Sequence, residues 1–500
     1  MNSDLSPQHR RGRIGAFLAL ALVVLGGRLW VVAGAATDLP YWDQWFISFF
    51  QVVVPWMDGE LRPWEMPLHT ENEHHLLYQR FLTWGLLQVT GRWEPGVEVV
   101  VASIFRAFEL CVVFTLLAAG QPGYARRGLL VILAALGALP AASFNLLSNC
   151  GIQYFIGEAL HMGLLAVCAR ALDGRRFLLA VALSLAAFMN MANVVITLAA
   201  AVLTLMMRRL VAGRAASWTV APAAGLLGLA LVFFAATPRM PGLGARGPAE
   251  FMDTFVRVLA WPFPDAWGLG LFILLPPILL FARLRDLPEE SPSWFLLSLS
   301  IGSILQAAAI AFGRARSLPR SFAQYTDGLW MTLIIAGLVL VTALRPRQGE
   351  RRRRPSGLEG LVGAFVLLLI AIGAVVRGIP ETADAARAAR LREPLLATAL
   401  ETGDFRVFSA ETLAIVKEQS AGVFDFFDHP SGRFAIPRSI QVILVPGFTR
   451  YRAALPASLA RVPPSRVVRA SRGLALAGPG VLLVGLLLMF AVVRRSGSGA

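Results

Sequence analysis

Apolar runs of 18 or more residues recur along this chain, from the first near Ile14 to the last near Val493. A run of that length can cross the hydrocarbon core of a bilayer as a helix. Inside that core only helices and closed barrels satisfy their backbone hydrogen bonds. The composition agrees, because 56% of the residues are hydrophobic and 15% are charged, against about a quarter charged in soluble domains. The sequence therefore predicts an all-α integral membrane protein.

The apolar runs predict about 12 transmembrane helices. They lie near residues 14–36, 97–118, 128–147, 152–170, 177–190, 193–207, 217–236, 266–282, 292–312, 324–343, 357–376 and 475–493. The stretch 177–207 is interrupted in its middle by Asn190 and Asn193. Two short helices forming a hairpin there would place the arginine pairs 175–176 and 208–209 on one side of the membrane.

With this hairpin, every segment on one side of the membrane is basic. These segments are 1–13, 126–127, 175–176, 208–214, 283–285, 345–354 and 494–495. Because positive charge marks the cytoplasmic side, we expect a bacterial inner-membrane protein with a cytoplasmic N-terminus. The net charge of +15 gathers in these short segments, with Lys417 as the only lysine, so we expect contact with membrane lipids and not with nucleic acid. The three cysteines are spaced for neither a zinc site nor a disulfide framework.

The same layout divides the chain into three parts. Residues 1–376 form the transmembrane domain with a large extracytoplasmic loop at 37–96, 377–474 form a small extracytoplasmic cap of mixed structure, and 475–500 form the last helix and a cytoplasmic tail. Within the cap, the stretch RSIQVILV predicts a strand. A lid that packs on the bundle without touching substrate is the alternative interpretation of this segment.

The loop at 37–96 is acidic and aromatic-rich, and it holds the candidate catalytic residue Asp43. Asp43 follows the first span and lies between Trp42 and Trp45. Aromatic residues at that depth anchor a helix at the membrane interface, which explains the tryptophans. The carboxylate between them fits a general base or a ligand for a divalent metal. An interfacial hydrogen-bonding role for Asp43 is the alternative.

A second feature of this loop is the segment HTENEHH at 69–75, which holds three of the six histidines. On a helix, His69 would share a face with Glu73, and Glu71 with His75. Such a cluster could bind metal, relay protons or grip a phosphate, although its spacing differs from the HExxH pattern. Glu73 and His74 are the strongest functional candidates. A buried polar network that docks the loop onto the bundle is the alternative.

Two further groups of polar residues lie at the same side of the membrane. Arg314, Arg316 and Arg320 stand where positive charge is disfavoured, and guanidinium groups there can clamp phosphate or contact anionic lipid. Asn145, Asn149, Gln153 and Glu158 lie at the outer ends of two spans. Polar residues at that depth face a cavity or bond neighbouring helices, and both readings stay open.

The order of these motifs resembles the GT-C class of polytopic glycosyltransferases. Within that class it is similar to a group of poorly characterised bacterial membrane proteins whose first loop carries a D-x-W element and then an N-E-H-R element. Here the elements read Asp43-Gln44-Trp45 and Asn72-Glu73-His74-His75, with His75 in place of Arg. Two later elements, N-x-x-x-Q and R…S-R-Y, correspond to Asn149 with Gln153 and to Arg316, Ser321 and Tyr325, with Gln324 in place of Arg.

The resemblance implies a transferase that takes a sugar from a polyprenyl-phosphate donor on the outer face. It implies Asp43 as base or metal ligand, with Glu73 and His74 shaping the acceptor or phosphate side. The residues we expect to bind substrate are Trp42, Trp45, His69, Asn72, His75, Asn149, Gln153, Arg314, Arg316, Arg320 and Tyr325. Beyond the lipid-linked donor, a divalent metal is the one cofactor considered, and the sequence identifies no protein partner.

Two other classes of function stay open. A transporter or flippase for a lipid-linked saccharide would use the same arginines and would carry charged residues along a central path. A non-catalytic scaffold of an envelope assembly complex would use the first loop only for structure.

Overall fold

The computed structural model describes residues 7–35, 44–71, 73–119, 121–140, 143–212, 219–238, 242–261, 263, 266, 268–283, 291–316, 322–344, 357–384, 386–387 and 465–495. These residues form an all-helical protein, and the described ranges hold isolated β-bridge residues, such as the pair Glu71 and His74, but no strand. The predicted strand in RSIQVILV and most of the predicted cap lie outside the described residues.

The α-helices are numbered in chain order through the described residues. They are α1 Pro7–Ala35, α2 Val54–Met57, α3 Leu77–Thr90, α4 Pro95–Leu117, α5 Gly123–Ala138, α6 Ser143–Leu147, α7 Gly151–Cys168, α8 Gly174–Phe188, α9 Val194–Ala212, α10 Val220–Ala236, α11 Pro248–Leu259, α12 Gly268–Ala282, α13 Ser293–Arg314, α14 Phe322–Ala343, α15 Gly357–Gly373, α16 Arg466–Leu476 and α17 Gly478–Arg495. Gln44–Val53 and Ala374–Gly378 are π-helical, and Pro63–Glu65 is a 3₁₀ turn.

Six helices in the described ranges are long and apolar enough to cross a membrane, and a seventh is added if the bent pair α16–α17 counts as one span. This confirms the prediction of an all-α membrane protein. The predicted count of twelve spans goes further and stays a prediction, because helices such as α10 and α12 are apolar but shorter. The predicted span 128–147 is not one continuous helix, since α5 ends at Ala138 and α6 begins at Ser143.

Helices α1 and α17 pack together unusually closely because glycines face the partner backbone. A Cβ atom at Gly26 of α1 would lie 2.8 Å from the Cβ of Leu482, and one at Gly485 of α17 would lie 2.6 Å from the backbone nitrogen of Val23. Gly478 meets Trp30 in the same way. In membranes, small residues at a helix interface let two backbones approach and gain dispersion energy. The first and last helices of the chain are thereby joined.

The basic helix ends lie together at one end of the bundle. The Arg127 side chain donates to the carbonyl oxygen of Val493 at 3.5 Å, and Arg208 donates to the carbonyl oxygen of Ala169 at 2.8 Å. Arg283 likewise donates to the carbonyl oxygen of Ala343. The starts of α5 and α8 and the ends of α9, α12, α14 and α17 therefore share this end. Which side of a membrane it faces stays a prediction from its charge.

The stretch 177–207 folds as the hairpin that its two asparagines predict. Helix α8 ends at Phe188 and α9 begins at Val194, and the Arg208 contact brings the end of α9 back beside the start of α8. Phe188 also stacks on Phe233 near the end of α10, with ring centroids 4.2 Å apart. The turn between α8 and α9 consequently lies at the end of the bundle opposite the basic residues.

The first loop is itself largely helical and is docked onto that turn. The backbone N–H groups of Leu76 and Leu77 donate to the carbonyl oxygens of Asn190 and Met189 at 2.9 and 3.1 Å. Leu76 has a φ angle of +53°, an uncommon conformation for a residue with a branched side chain. This backbone conformation redirects the chain from its contact with the α8–α9 turn into α3. The loop segment at 71–76 is therefore held at a fixed place over the bundle.

Candidate functional site

A cavity of about 350 Å³ lies between α7, α9, α13 and α14, at the end of the bundle that carries the first loop. Its volume is in the range of small-molecule sites. Apolar side chains such as Met162, Leu165 and Ile310 form much of its wall. The polar groups form two sets: Glu73, His74 and Arg314 at the loop end, and Tyr154, Glu158, His161 and Asp327 along α7 and α14.

A tight turn of the first loop presents Glu73 and His74 to this cavity. Glu71 and His74 exchange two backbone hydrogen bonds, of 2.7 and 3.0 Å, so Glu73 lies in the turn that they close. This geometry is not the helix on which His69 would pair with Glu73 and Glu71 with His75. Glu71 instead accepts a hydrogen bond from the Gln51 side chain at 2.7 Å, on the side away from the cavity.

Glu73 forms an ion pair with Arg314, the last residue of α13. Burial acts to raise the pKa of Glu73, but the charges of His74 and Arg314 and the hydrogen bond from Arg314 lower it below the ordinary value of 4.5. Glu73 is thus ionised near neutral pH. Its Oε1 atom bonds Arg314, whereas its Oε2 atom is buried without a hydrogen-bond partner in the described part of the chain.

His74 is held as a neutral imidazole beside this carboxylate. Burial lowers the pKa of His74 to about 4, and the neighbouring charge of Arg314 acts in the same direction against the opposing effect of Glu73. The Nδ1 atom accepts the backbone N–H of Ala192 at 3.3 Å, so the ring proton lies on Nε2. That nitrogen is 3.6 Å from Glu73 Oε1. Because Glu73 keeps its charge through Arg314, the pair presents an ionised carboxylate and a neutral imidazole to the cavity.

A cluster of buried charges extends the cavity into the bundle. Arg106 donates to Glu109 at 2.7 Å, to Glu158 at 3.3 Å and to Asp327 at 2.8 Å. Glu158 and Asp327 also line the cavity. Charged residues inside a membrane bundle are costly and are commonly functional. The cavity therefore connects an acid–base pair at its loop end to an ionic cluster between its helices.

Arg80 of α3 fixes the loop around the turn. Its guanidinium group donates to the carbonyl oxygens of Met66, His69 and His75, and to the side-chain oxygen of Gln51. Burial lowers the pKa of Arg80 to about 10, with Glu71 opposing the shift, so the group stays charged at neutral pH. The loop before α3 is thereby hydrogen-bonded at several points to one buried side chain.

Asn149 lies in a second buried network, separate from the cavity lining. Its amide donates to Glu98 of α4 at 2.5 Å and to Ser48 at 2.9 Å, and its carbonyl oxygen accepts from Gln79 at 2.8 Å. Glu98 also accepts hydrogen bonds from Gln44 and Thr83. A buried network of this kind rigidifies a core, and it joins the π-helical segment and α3 to α4 and to the residues just before α7.

The structure brings together five of the residues that the sequence singled out. Glu73, His74, Glu158, Arg314 and Tyr325 all line the cavity. The other described candidates lie elsewhere. Among them, His69 is exposed, His75 contacts the carbonyl oxygen of Pro67, Gln153 is buried beside Asn190, and Arg316 donates to the carbonyl oxygen of Gly242.

Some predicted residues cannot be placed. Trp42, Asp43, Asn72 and Arg320 lie outside the described residues, as does the side chain of Trp45.

Several residues of the cavity escaped the sequence analysis as site residues. They are Tyr154, His161 and Asp327, with Arg106 behind them. The signal that would have found them is an ionisable residue inside an apolar span, which Arg106 and Asp327 both provide. Their pairing joins positions 221 residues apart, which no local pattern encodes.

In the described ranges no group of three or more His, Cys, Asp and Glu side chains is arranged to hold a metal ion. Comparison of the chain with protein-family models, with curated proteins and with solved structures finds no match.

Proposed function

We propose that this protein is a membrane glycosyltransferase that moves a sugar from a polyprenyl-phosphate-linked donor to an envelope acceptor. The observation that carries the proposal is the meeting of Glu73 and Arg314 at a cavity of about 350 Å³. One comes from the first-loop motif and the other from the end of α13, 241 residues later. The resemblance of the loop motifs to GT-C enzymes supplies the reaction class.

The chemistry divides between these two side chains. In the transfer, a bond forms between the acceptor oxygen and the anomeric carbon while the bond from that carbon to the phosphate oxygen breaks. The acceptor proton passes to a base, and negative charge grows on the departing lipid phosphate. Arg314 supplies positive charge for the phosphate, and the unbonded oxygen of Glu73 can accept the proton. Asp43 keeps the proposed role of base or metal ligand.

The two ends of the bundle indicate on which side of the membrane the reaction takes place. The cavity lies toward the end opposite the basic helix ends, and the positive-inside rule assigns that end to the extracytoplasmic side. We accordingly propose a bacterial inner-membrane location with the N-terminus in the cytoplasm. The donor lipid would stay in the bilayer while its phosphate meets Arg314.

The proposal is tested by transfer from radiolabelled undecaprenyl-phosphate monosaccharides, offered as a panel to nanodisc-embedded protein with an envelope extract as acceptor. We expect Glu73→Gln to lower transfer at least about 100-fold, as for loss of a catalytic acid or base. The matched control is Glu65→Gln, because Glu65 lies in the same loop and forms an ion pair with exposed Arg62. Full transfer by Glu73→Gln, or no donor consumed by the wild type, would refute the proposal.

A second candidate function is a transporter or flippase for a lipid-linked saccharide. The cluster around Arg106 favours it, because it places charges along the inner wall of the cavity. Proteoliposomes separate the two functions. A flippase would expose the labelled sugar lipid to a membrane-impermeant oxidant without forming product, whereas the transferase would form product and leave the donor's sidedness unchanged.

A further inference from the structure

The buried cluster around Arg106 carries an excess of negative charge. Arg106, Glu109 and Asp327 are 0%, 1% and 4% exposed. Glu158 completes the set of three carboxylates, and its side chain is the most accessible of the three, at 14% against 2% for Glu109 and 6% for Asp327. A buried charge without compensation costs several kcal/mol, so the charge count of this cluster has to be nearly balanced.

The one other cation at the cluster, as far as the described residues show, is Arg28 of α1. Arg28 donates to the carbonyl oxygen of Asn145 at 2.8 Å, and the Asn145 amide donates to Asp327 at 2.9 Å. Both guanidinium groups also lie over the ring of Phe155, at 5.1 and 5.0 Å from its centroid. Two guanidinium groups against three carboxylates leave one negative charge uncompensated.

The hydrogen bonds locate that charge on two of the carboxylates. Both oxygens of Asp327 accept a hydrogen bond, one from Arg106 and one from Asn145. Glu109 and Glu158 instead accept from the same nitrogen, Nη1 of Arg106, which makes them neighbours. The remaining oxygen of Glu109, Oε1, is buried and has no donor within the described residues. A proton on this pair would cancel the excess charge and supply the missing donor.

We propose that Glu109 and Glu158 share one exchangeable proton, which enters and leaves through the cavity that Glu158 lines. The groups that face the pair are Arg106 and the thiol of Cys111 on α4, Arg28 on α1, and Asp327 on α14. His161, one turn beyond Glu158 on α7, lines the same cavity. Phe155 stacks against both arginines, which holds them in place and leaves the proton as the mobile charge. This site does not depend on the proposed transfer reaction.

Infrared difference spectroscopy of the full-length protein in nanodiscs tests the proposal. The wild type should show a protonated carboxyl band of the Glu109–Glu158 pair that shifts in D₂O and is lost as the pH rises. Glu109→Gln and Glu158→Gln should each remove it, and the exposed control Glu65→Gln should keep it. Persistence of the band in folded Glu109→Gln and Glu158→Gln proteins would overturn the proposal.

Two further measurements keep the test decisive. Glu158→Asp keeps a carboxyl group and should fold, and we expect it to retain the band at a shifted frequency and a shifted pH midpoint. An unchanged spectrum in that variant would overturn the assignment. Addition of NaCl at constant pH should leave the wild-type band in place. Loss of the band on adding NaCl would overturn the proposal, because it would show that the site binds a sodium ion instead of a proton.

Discussion

Arg80 shows how one side chain can set the shape of the first loop. It is 1% exposed and donates to three backbone carbonyl oxygens and to Gln51. These acceptors come from separate stretches of the loop, and removing Arg80 would take this donor away from acceptors in a buried or partly buried site. The cost of an unsatisfied buried group is about 1–3 kcal/mol, which exceeds what exposed ion pairs contribute.

We expect Arg80→Met to lower the free energy of unfolding by about 2–5 kcal/mol and to expose the loop to protease. The control is Arg62→Met, because the Arg62 side chain is 63% exposed and pairs only with Glu65. That change should stay within about 0.5 kcal/mol. Limited proteolysis and thermal unfolding in detergent measure both. Equal behaviour of the two variants would contradict the role given to Arg80.

His74 makes the stability of the fold sensitive to acid. Its pKa in the folded protein is lowered from 6.5 to about 4, so the unfolded chain binds the proton more tightly. Stability from this residue is therefore fully present above pH 6.5 and is lost as the pH falls toward about 4. The slope it adds is at most about 1.4 kcal/mol per pH unit.

The prediction for His74→Gln is a flatter dependence of the unfolding midpoint on pH in that window, measured against the wild type. His69→Gln, which alters an exposed histidine of the same loop, should leave the dependence unchanged. A His74→Gln protein that loses stability toward acid as steeply as the wild type would show that other groups cause the loss.

Among the helices, the contact between α1 and α17 depends on the absence of side chains. At Gly26 a Cβ atom would meet both the main chain and the Cβ of Leu482, whereas at Gly34 of the same helix nothing lies within 4 Å. Overpacking a tight interface costs about 1–3 kcal/mol. An alanine substitution at Gly26 therefore tests the close contact between the helices, and the same substitution at Gly34 tests helix propensity alone.

We expect Gly26→Ala to destabilise the protein by about 1–3 kcal/mol. Gly34→Ala should be neutral or slightly stabilising, because alanine is the better helix former. Thermal unfolding in detergent reports both changes. If Gly26→Ala were as stable as Gly34→Ala, the close approach of the first and last helices would be wrong.

For the whole molecule, the division into a basic end and a first-loop end predicts sidedness. Leu68 in the loop is 76% exposed, and the Arg176 side chain at the basic end is 44% exposed. The three native cysteines are buried, so the unchanged protein serves as the blank. In intact cells a membrane-impermeant maleimide should label Leu68→Cys, and it should label Arg176→Cys only after permeabilisation. Labelling of both from one side would contradict the predicted topology.

The amino-acid sequence alone was enough to predict an all-α membrane protein and the positions of many of its apolar helices. Long apolar runs force helices because an unpaired backbone is costly in hydrocarbon, and Asn190 with Asn193 marked the turn between α8 and α9. It also picked out Glu73, His74, Arg314 and Tyr325, since their chemistry is unusual at their positions. It did not give the geometry of 71–75, because two backbone hydrogen bonds favour a turn over the helix that the spacing suggested.

Which of these side chains contact one another depends on how the helices pack in the tertiary structure. Glu73 meets Arg314, and Arg106 gathers Glu109, Glu158 and Asp327, through the packing of α4, α7, α13 and α14. Asn149, which the sequence also predicted to bind substrate, is directed into a separate network with Glu98. The physical reason is that a helix surface is specified locally, by periodicity and composition, whereas the partner of a buried charge is set by helices far apart in the chain.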